Sequence, residues 1–301
     1  MPHHPERKRI DKALGGAAKR NDLEADGKVF GEGVFRVGDE IKPGTYYSTV
    51  GGHTGESCGE RCPIDDPGIT MRIFLAVAVL VVVNALNNRL TPELYVPLCL
   101  AATAVLILIA RWDHITWADL GLGKAMLGRG LRWGLILAGA VLISFLVALA
   151  VPLTRPLFLD ERAEDLSVGQ LLFRVLVRVP FGTVLLEEVA FRGVLWAMIE
   201  RRWGAGWATS LSSVLFGLWH VLPSVGINRA NSAIGAVFGH STLGVALSVA
   251  AAVVGTAAAG VLFCELRRRS GSLLTPAALH WALNGEAYAL SWAADQWWGA
   301  S

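Results

Sequence analysis

The chain has little net charge and few cysteines, and lacks the compact zinc-protease signature H-E-x-x-H. Its 27 Lys and Arg stand against 25 Asp and Glu, a balance of +2, so no nucleic-acid footprint is indicated. Four cysteines form no disulfide framework. Cys99 and Cys264 fall in apolar stretches, where packing is the plain reading. Cys58 and Cys62, with His53 nearby, leave a metal clip without an evident fourth ligand. The N-terminus lacks the apolar core of a cleavable signal peptide, and no repeat of solenoid period is visible. The apolar stretches also lack a Gly-Asp catalytic pair, since Gly38-Asp39 lies in the polar tail. Ser272 and His280 share one segment but stand two turns apart, a poor serine-protease geometry.

What is abundant is apolar surface. Hydrophobic residues make up 53% of the chain and its mean hydropathy is +0.47. A soluble domain of this length is not so apolar, and the expectation is an all-α, polytopic transmembrane bundle of about seven to eight helices. Stretches long enough to cross the hydrocarbon lie at 73–90, 93–110, 133–151, 168–189, 207–222, 243–262 and 273–294. Basic residues mark alternate loops: the tail, then Lys124, Arg129 and Arg132, then Arg201 and Arg202, then Arg267, Arg268 and Arg269. That pattern predicts a multi-pass protein of a bacterial plasma membrane with a cytoplasmic N-terminus. Residues 1–70 are polar and Gly-rich, with a strand, a Pro-Gly turn and a second strand expected over 37–46. The domain reading is a tail over 1–70, with a truncated β module, and a membrane domain over 71–301. Met71 stands before the first span, so a start there fits the sequence.

Ionisable groups in such spans cost about 2.5–3.5 kcal/mol each on insertion scales, so they point to function. Three clusters occur in order. Glu187 and Glu188 are adjacent, and Arg192 follows Glu188 by one helical turn, the favourable order for an ion pair. Glu187 is out of that register and faces something else. A purely structural ionic lock is the plain alternative, although a lock does not need a second, unpaired carboxylate. Phe216 and His220 share a face of the next span. Glu187 lies 17 residues before Gly204 and His220 lies 16 after it. Antiparallel helices meeting at that turn would bring carboxylate and imidazole to one depth, where they could activate water. His280 and Asn284 are one turn apart; both offer N–H donors and could hold an oxyanion, or could form an interhelical hydrogen-bond pair. Arg174 and Arg178 share a face and read as snorkelling or capping residues, and Glu286 could support Asn284.

Together these residues resemble the CPBP family, that of CAAX proteases and bacteriocin-processing or abortive-infection proteins. Its pattern is E-E-x-x-x-R, then F-x-x-x-H, then H-x-x-x-N, matched by Glu187, Glu188 and Arg192, by Phe216 and His220, and by His280 and Asn284. Thr116 to Leu122 also look like the family, and the resemblance covers roughly 71–295. It implies an intramembrane endopeptidase acting on a membrane-embedded or lipid-anchored peptide substrate. Glu187 and His220 would activate water, His280 and Asn284 would stabilise the oxyanion, and Glu188, Arg192 and Phe216 would support them. The family is described both as metalloproteases and as metal-free glutamate proteases. The reading taken is metal-free; if a Zn²⁺ were bound, Glu187, His220 and His280 would be its ligands. The alternative function is a non-catalytic membrane scaffold or bacteriocin-immunity protein of the same fold. A transporter would favour inverted repeats, and none is evident.

All motif residues lie beyond residue 70. A chain beginning at Met71 should insert in membranes and cleave a substrate as the full chain does. Normal insertion with complete loss of cleavage would make the tail a working part, such as a substrate-recruiting module.

Overall fold

The structure, a computed structural model, describes residues 46–47, 54–55, 67–160, 162–163 and 166–298. The chain divides into two units, Met1–Asp66 and Pro67–Ser301. In the first, β1 (Tyr46–Tyr47) pairs antiparallel with β2 (Thr54–Gly55), Tyr46 opposite Gly55. The rest of the hairpin expected over 37–46 lies outside the described residues, as do His53, Cys58 and Cys62.

The second unit is all-α. Five helical stretches are long and apolar enough to cross a membrane: Thr70–Leu90, Pro92–Trp112, Lys124–Ala150, Val168–Trp219 and Thr242–Ser270. Their helices are α1 (Pro67–Ala85), which starts just ahead of the first stretch, α2 (Tyr95–Trp112), α3 (Lys124–Ala150), the long run α4 (Val168–Trp219) and, after short α5 (Ile227–Ala230) and α6 (Ser232–Phe238), α7 (Thr242–Ser270). The chain ends in α8 (Leu274–Trp281), a widened turn over Ala282–Glu286, and α9 (Ala287–Trp298). Large apolar side chains such as Phe74, Leu108, Leu135 and Ile143 are exposed, as lipid-facing residues are.

The count departs from the seven expected spans in two places. Spans four and five are one helical run of 52 residues, broken where Gly204 takes φ 83° and ψ 169°. Only glycine adopts that backbone without strain. The run folds into a hairpin there: Ser212 Oγ donates to the carbonyl of Phe191 at 2.6 Å, and the rings of Phe191 and Phe216 meet edge to face at 5.2 Å. The seventh span is helical, but it is not among the five apolar stretches. Thr275, Pro276, His280, Asn284 and Glu286 interrupt its hydropathy. The first span was expected to begin near residue 73, and its helix begins at Pro67.

The first arm of α4 is the axis of the bundle. Residues 186–199 are buried without interruption, as befits a helix surrounded by others. Much of this arm is π-helical, over Arg174–Val184 and Glu188–Leu195. Pro180 supplies no N–H, and Leu185 donates back to its carbonyl, five residues away. Such widened turns shift the faces of a helix and recur at functional sites. The asparagines that end the first span tie helices together: Asn84 Nδ2 donates to the carbonyl of Trp219 at 2.9 Å, and Asn87 Nδ2 reaches Cys99 Sγ at 3.1 Å. Arg267, expected in a loop, lies in the last turn of α7, is buried and donates to the carbonyl of Asp119 at 2.8 Å.

Small residues bring α3 and α8 together. Gly130 and Gly134 form a G-x-x-x-G face, and a Cβ on Gly134 would lie 2.6 Å from the Ala278 Cβ and 3.2 Å from the Leu274 carbonyl. Helix α8 carries His280, so this contact sets where that imidazole stands. Gly134→Leu should cost about 1–3 kcal/mol through overpacking and lower activity by displacing α8. Thermal unfolding in detergent is the measure, with Gly139→Leu as control, because a Cβ there meets nothing within 4 Å. Equal behaviour of the two variants would remove close packing as the constraint.

Candidate active site

The α4 hairpin brings Glu187 level with the end of the second arm. Glu187 is buried, and its Oε1 accepts from Trp219 Nε1 at 3.0 Å. Its Oε2 is buried and has no hydrogen-bond partner among the described residues. Two imidazole nitrogens face that oxygen: His220 Nε2 at 4.0 Å and His280 Nε2 at 3.7 Å. Helix α4 ends at Trp219, so His220 takes the cap position at φ −83° and ψ 0°.

Hydrogen bonds define what each ring offers. His220 Nδ1 lies 2.8 Å from the carbonyl of Phe216, which can only accept. Nδ1 therefore carries a proton, and Nε2 of the neutral ring presents a lone pair toward Glu187. His280 Nδ1 lies 2.8 Å from Glu188 Oε1. It donates to that carboxylate, leaving its Nε2 toward Glu187. The His280 ring thus spans both carboxylates, a link that sequence spacing did not reveal.

Glu188 Oε1 also accepts from Arg192 Nη1 at 3.1 Å, the expected i, i+4 pair. Arg192 is fully buried, its guanidinium carbon 3.9 Å from the centre of the Phe216 ring and 4.8 Å from that of Phe263. Cation–π contact compensates part of its desolvation. Phe216 also meets both imidazoles edge to face, at 4.7 Å for His220 and 6.0 Å for His280.

The structure therefore gathers Glu187, Glu188, Arg192, Phe216, His220 and His280. Asn284 is placed otherwise. Its Nδ2 donates to the carbonyl of His280 at 3.0 Å, within its own helix. The His280 Nδ1–H is taken by Glu188 and one of the two Asn284 amide hydrogens by the backbone, which leaves the amide a second N–H. Only as an imidazolium does His280 present an N–H, at Nε2. The sequence reading missed Trp219, which holds one oxygen of Glu187, and Asn84, which holds the Trp219 carbonyl. The available signal was Trp219's place beside His220, with an indole donor that needs a partner when buried.

One carboxylate and two imidazoles have the chemistry of a Zn²⁺ ligand set. Tetrahedral ligation with bonds near 2.0–2.1 Å needs ligand atoms roughly 3.3 Å apart. The two N···O separations here are 3.7 and 4.0 Å, and no group of three or more His, Cys, Asp or Glu among the described residues is arranged to hold a metal ion. The present arrangement does not fit the metal.

Glu188→Gln should strand the Arg192 guanidinium in the core and cost about 3–5 kcal/mol. Thermal unfolding of the detergent-solubilised variant measures this; a stability equal to the parent's would show that the ion pair is not what holds α4 in place.

The sequence profile of the type II CAAX prenyl endopeptidase Rce1-like family matches residues 169–285, the stretch that carries every residue of this site. No curated protein and no solved structure matches the chain. The chain is a multi-pass membrane protein, and over residues 169–285 it is similar to the type II CAAX prenyl endopeptidases.

Proposed function

We propose that this protein is an intramembrane endopeptidase in which Glu187 is the general base. The observation that carries the reading is the Glu187 Oε2 atom: buried, without a hydrogen bond, and faced by two imidazole nitrogens. Polar separations of 3.7–4.0 Å suit a bridging water better than direct contact. A water there would donate one proton toward Glu187 Oε2 and the other toward His220 Nε2. Its oxygen lone pair is then free to attack a carbonyl carbon.

As the C–O bond forms, Glu187 takes one proton from the water. The carbonyl becomes an oxyanion. His280 in its imidazolium form would donate Nε2–H to it, with Glu188 on Nδ1 stabilising that charge. Asn284 could join through its second amide N–H. When the C–N bond breaks, the proton held by Glu187 passes to the leaving amine, and a carboxylic acid and an amine are the products. Trp219 orients Glu187 throughout through its indole N–H. The substrate class that accords with the family is a membrane-associated, lipid-anchored peptide.

Glu187→Gln keeps the shape, and its carbonyl oxygen can still accept from Trp219, but it cannot take a proton. It should reduce cleavage about 10²–10⁴-fold while leaving insertion and thermal stability near those of the parent. Turnover by this variant at the parental rate would end the proposal. A chelator should leave the parental rate intact. Loss on chelation with recovery on added Zn²⁺ would instead assign Glu187, His220 and His280 as metal ligands.

A further inference from the structure

The second arm of α4 ends at Trp219, and a helix end in hydrocarbon must find protein donors for its last carbonyls. Those before Trp219 find them close by in the chain. The carbonyl of Phe216 lies 2.8 Å from His220 Nδ1, that of Gly217 accepts from the His220 N–H at 3.0 Å, and that of Leu218 accepts from the Val221 N–H at 3.1 Å. The Trp219 carbonyl has no such donor. Its helical partner, four residues on, is Pro223, which carries no N–H. The donor comes from another helix instead: Asn84 Nδ2 of α1, at 2.9 Å.

Asn84 is itself held. It is buried, and its Oδ1 accepts from Asn88 Nδ2 at 2.6 Å, which turns Nδ2 toward Trp219. Asn88 Nδ2 also donates to the Asn84 carbonyl at 2.9 Å. Beside the Asn84–Trp219 bond lies a cavity of about 170 Å³, lined in part by Leu80 and Val81 of α1 and by Leu215 and Leu218 of α4. Where packing is incomplete, the hydrogen bond sets the spacing of the two helices.

The bonded carbonyl stands between two parts of the catalytic cluster. It belongs with the His220 N–H to one planar peptide unit, so a donor on it fixes the tilt of the whole plane. On one side of that plane the Trp219 indole N–H meets Glu187 Oε1 at 3.0 Å. On the other, His220 Nε2 faces Glu187 Oε2 at 4.0 Å. Both oxygens of the proposed base are addressed from the two ends of one peptide bond, and α1 orients that bond.

An amide inside a span is costly, and such residues mark function. We propose that Asn84 is a positioning residue of the catalytic pair: its amide N–H caps the Trp219 carbonyl in place of the N–H that Pro223 lacks, and so holds Trp219 and His220 on the two oxygens of Glu187. The proposal rests on the endopeptidase reading and brings α1, which carries no motif residue, into the catalytic assembly.

The test uses the full chain in detergent micelles, with a fluorescence-quenched, S-farnesylated peptide as probe. Asn84→Leu should lower kcat about 10- to 100-fold with KM near the parent's, because the base and its imidazole are misplaced while the substrate contacts remain. Asn87→Leu is the control. It removes an interhelical bond of the same span, to Cys99 Sγ, and should lose comparable thermal stability while keeping kcat. Pro223→Ala added to Asn84→Leu returns a backbone N–H to the Trp219 carbonyl and should recover most of the lost kcat. The ultraviolet resonance Raman band of the Trp219 indole, isolated as the difference between the parent and Trp219→Phe protein, reads the bond to Glu187 without turnover. Asn84→Leu should move it to the position of a free indole N–H, and Asn87→Leu should not. A parent that cleaves nothing while the band moves as expected would overturn the endopeptidase reading and leave the hold of Asn84 on Trp219 standing. An unmoved band or a parental kcat in Asn84→Leu would overturn the positioning role. So would a loss of kcat that Asn87→Leu shares in full or that Pro223→Ala does not reverse.

Discussion

Two adjacent carboxylates buried in an apolar helix are the constraint on which the rest of this structure depends. Glu187 and Glu188 have almost no exposed surface, and Arg192 beside them has none. Charges in such a place persist only when paired and hydrogen-bonded. The molecule treats the two differently. Glu188 receives Arg192 and His280 on one oxygen. Glu187 receives a single indole N–H and keeps its other oxygen toward two imidazoles. Each keeps one buried oxygen without a hydrogen bond among the described residues, but Glu188 is tied to a guanidinium and an imidazole, whereas the open oxygen of Glu187 faces two imidazole nitrogens. That division of labour between neighbours on one turn is the main physical argument for chemistry at this site.

Holding this arrangement requires helices that approach closely and turn sharply. Gly204 turns the 52-residue run back on itself, and the hairpin brings Trp219 to Glu187. Gly130 and Gly134 let α8 come near enough to α3 to place His280. Asn84 then joins α1 to the Trp219 carbonyl. With lipid on the outside there is little hydrophobic drive between helices, so small-residue contacts and interhelical hydrogen bonds carry the assembly. The aromatic ring of Phe216 does several tasks at once, touching Arg192, His220 and His280.

Much of this was legible in the residues. The family pattern, the all-α class and the pairing of Glu188 with Arg192 follow from motif spacing and hydropathy, which are local. The hairpin depth of Glu187 and His220 follows from counting residues on either side of Gly204. Other features were not legible for identifiable reasons. The hydropathy of 168–222 reads as two spans, and whether they join in one run depends on a single backbone angle at Gly204. The polar interruptions at Thr275 and His280 lower the last helix below the apolar threshold without preventing helix formation. That one amide hydrogen of Asn284 goes to the His280 carbonyl of its own helix is likewise not readable from shared-face spacing.

The sequence by itself determined that the chain enters a membrane, that its core is helical, and which ionisable groups would be set at depth, because hydropathy and 3.6-residue periodicity act over one element at a time. Only the tertiary structure decided which nitrogen of each imidazole meets which carboxylate, and that Trp219 holds Glu187. Those outcomes depend on the widened turns of α4 and on how closely neighbouring helices pack, and neither is encoded within a single helix.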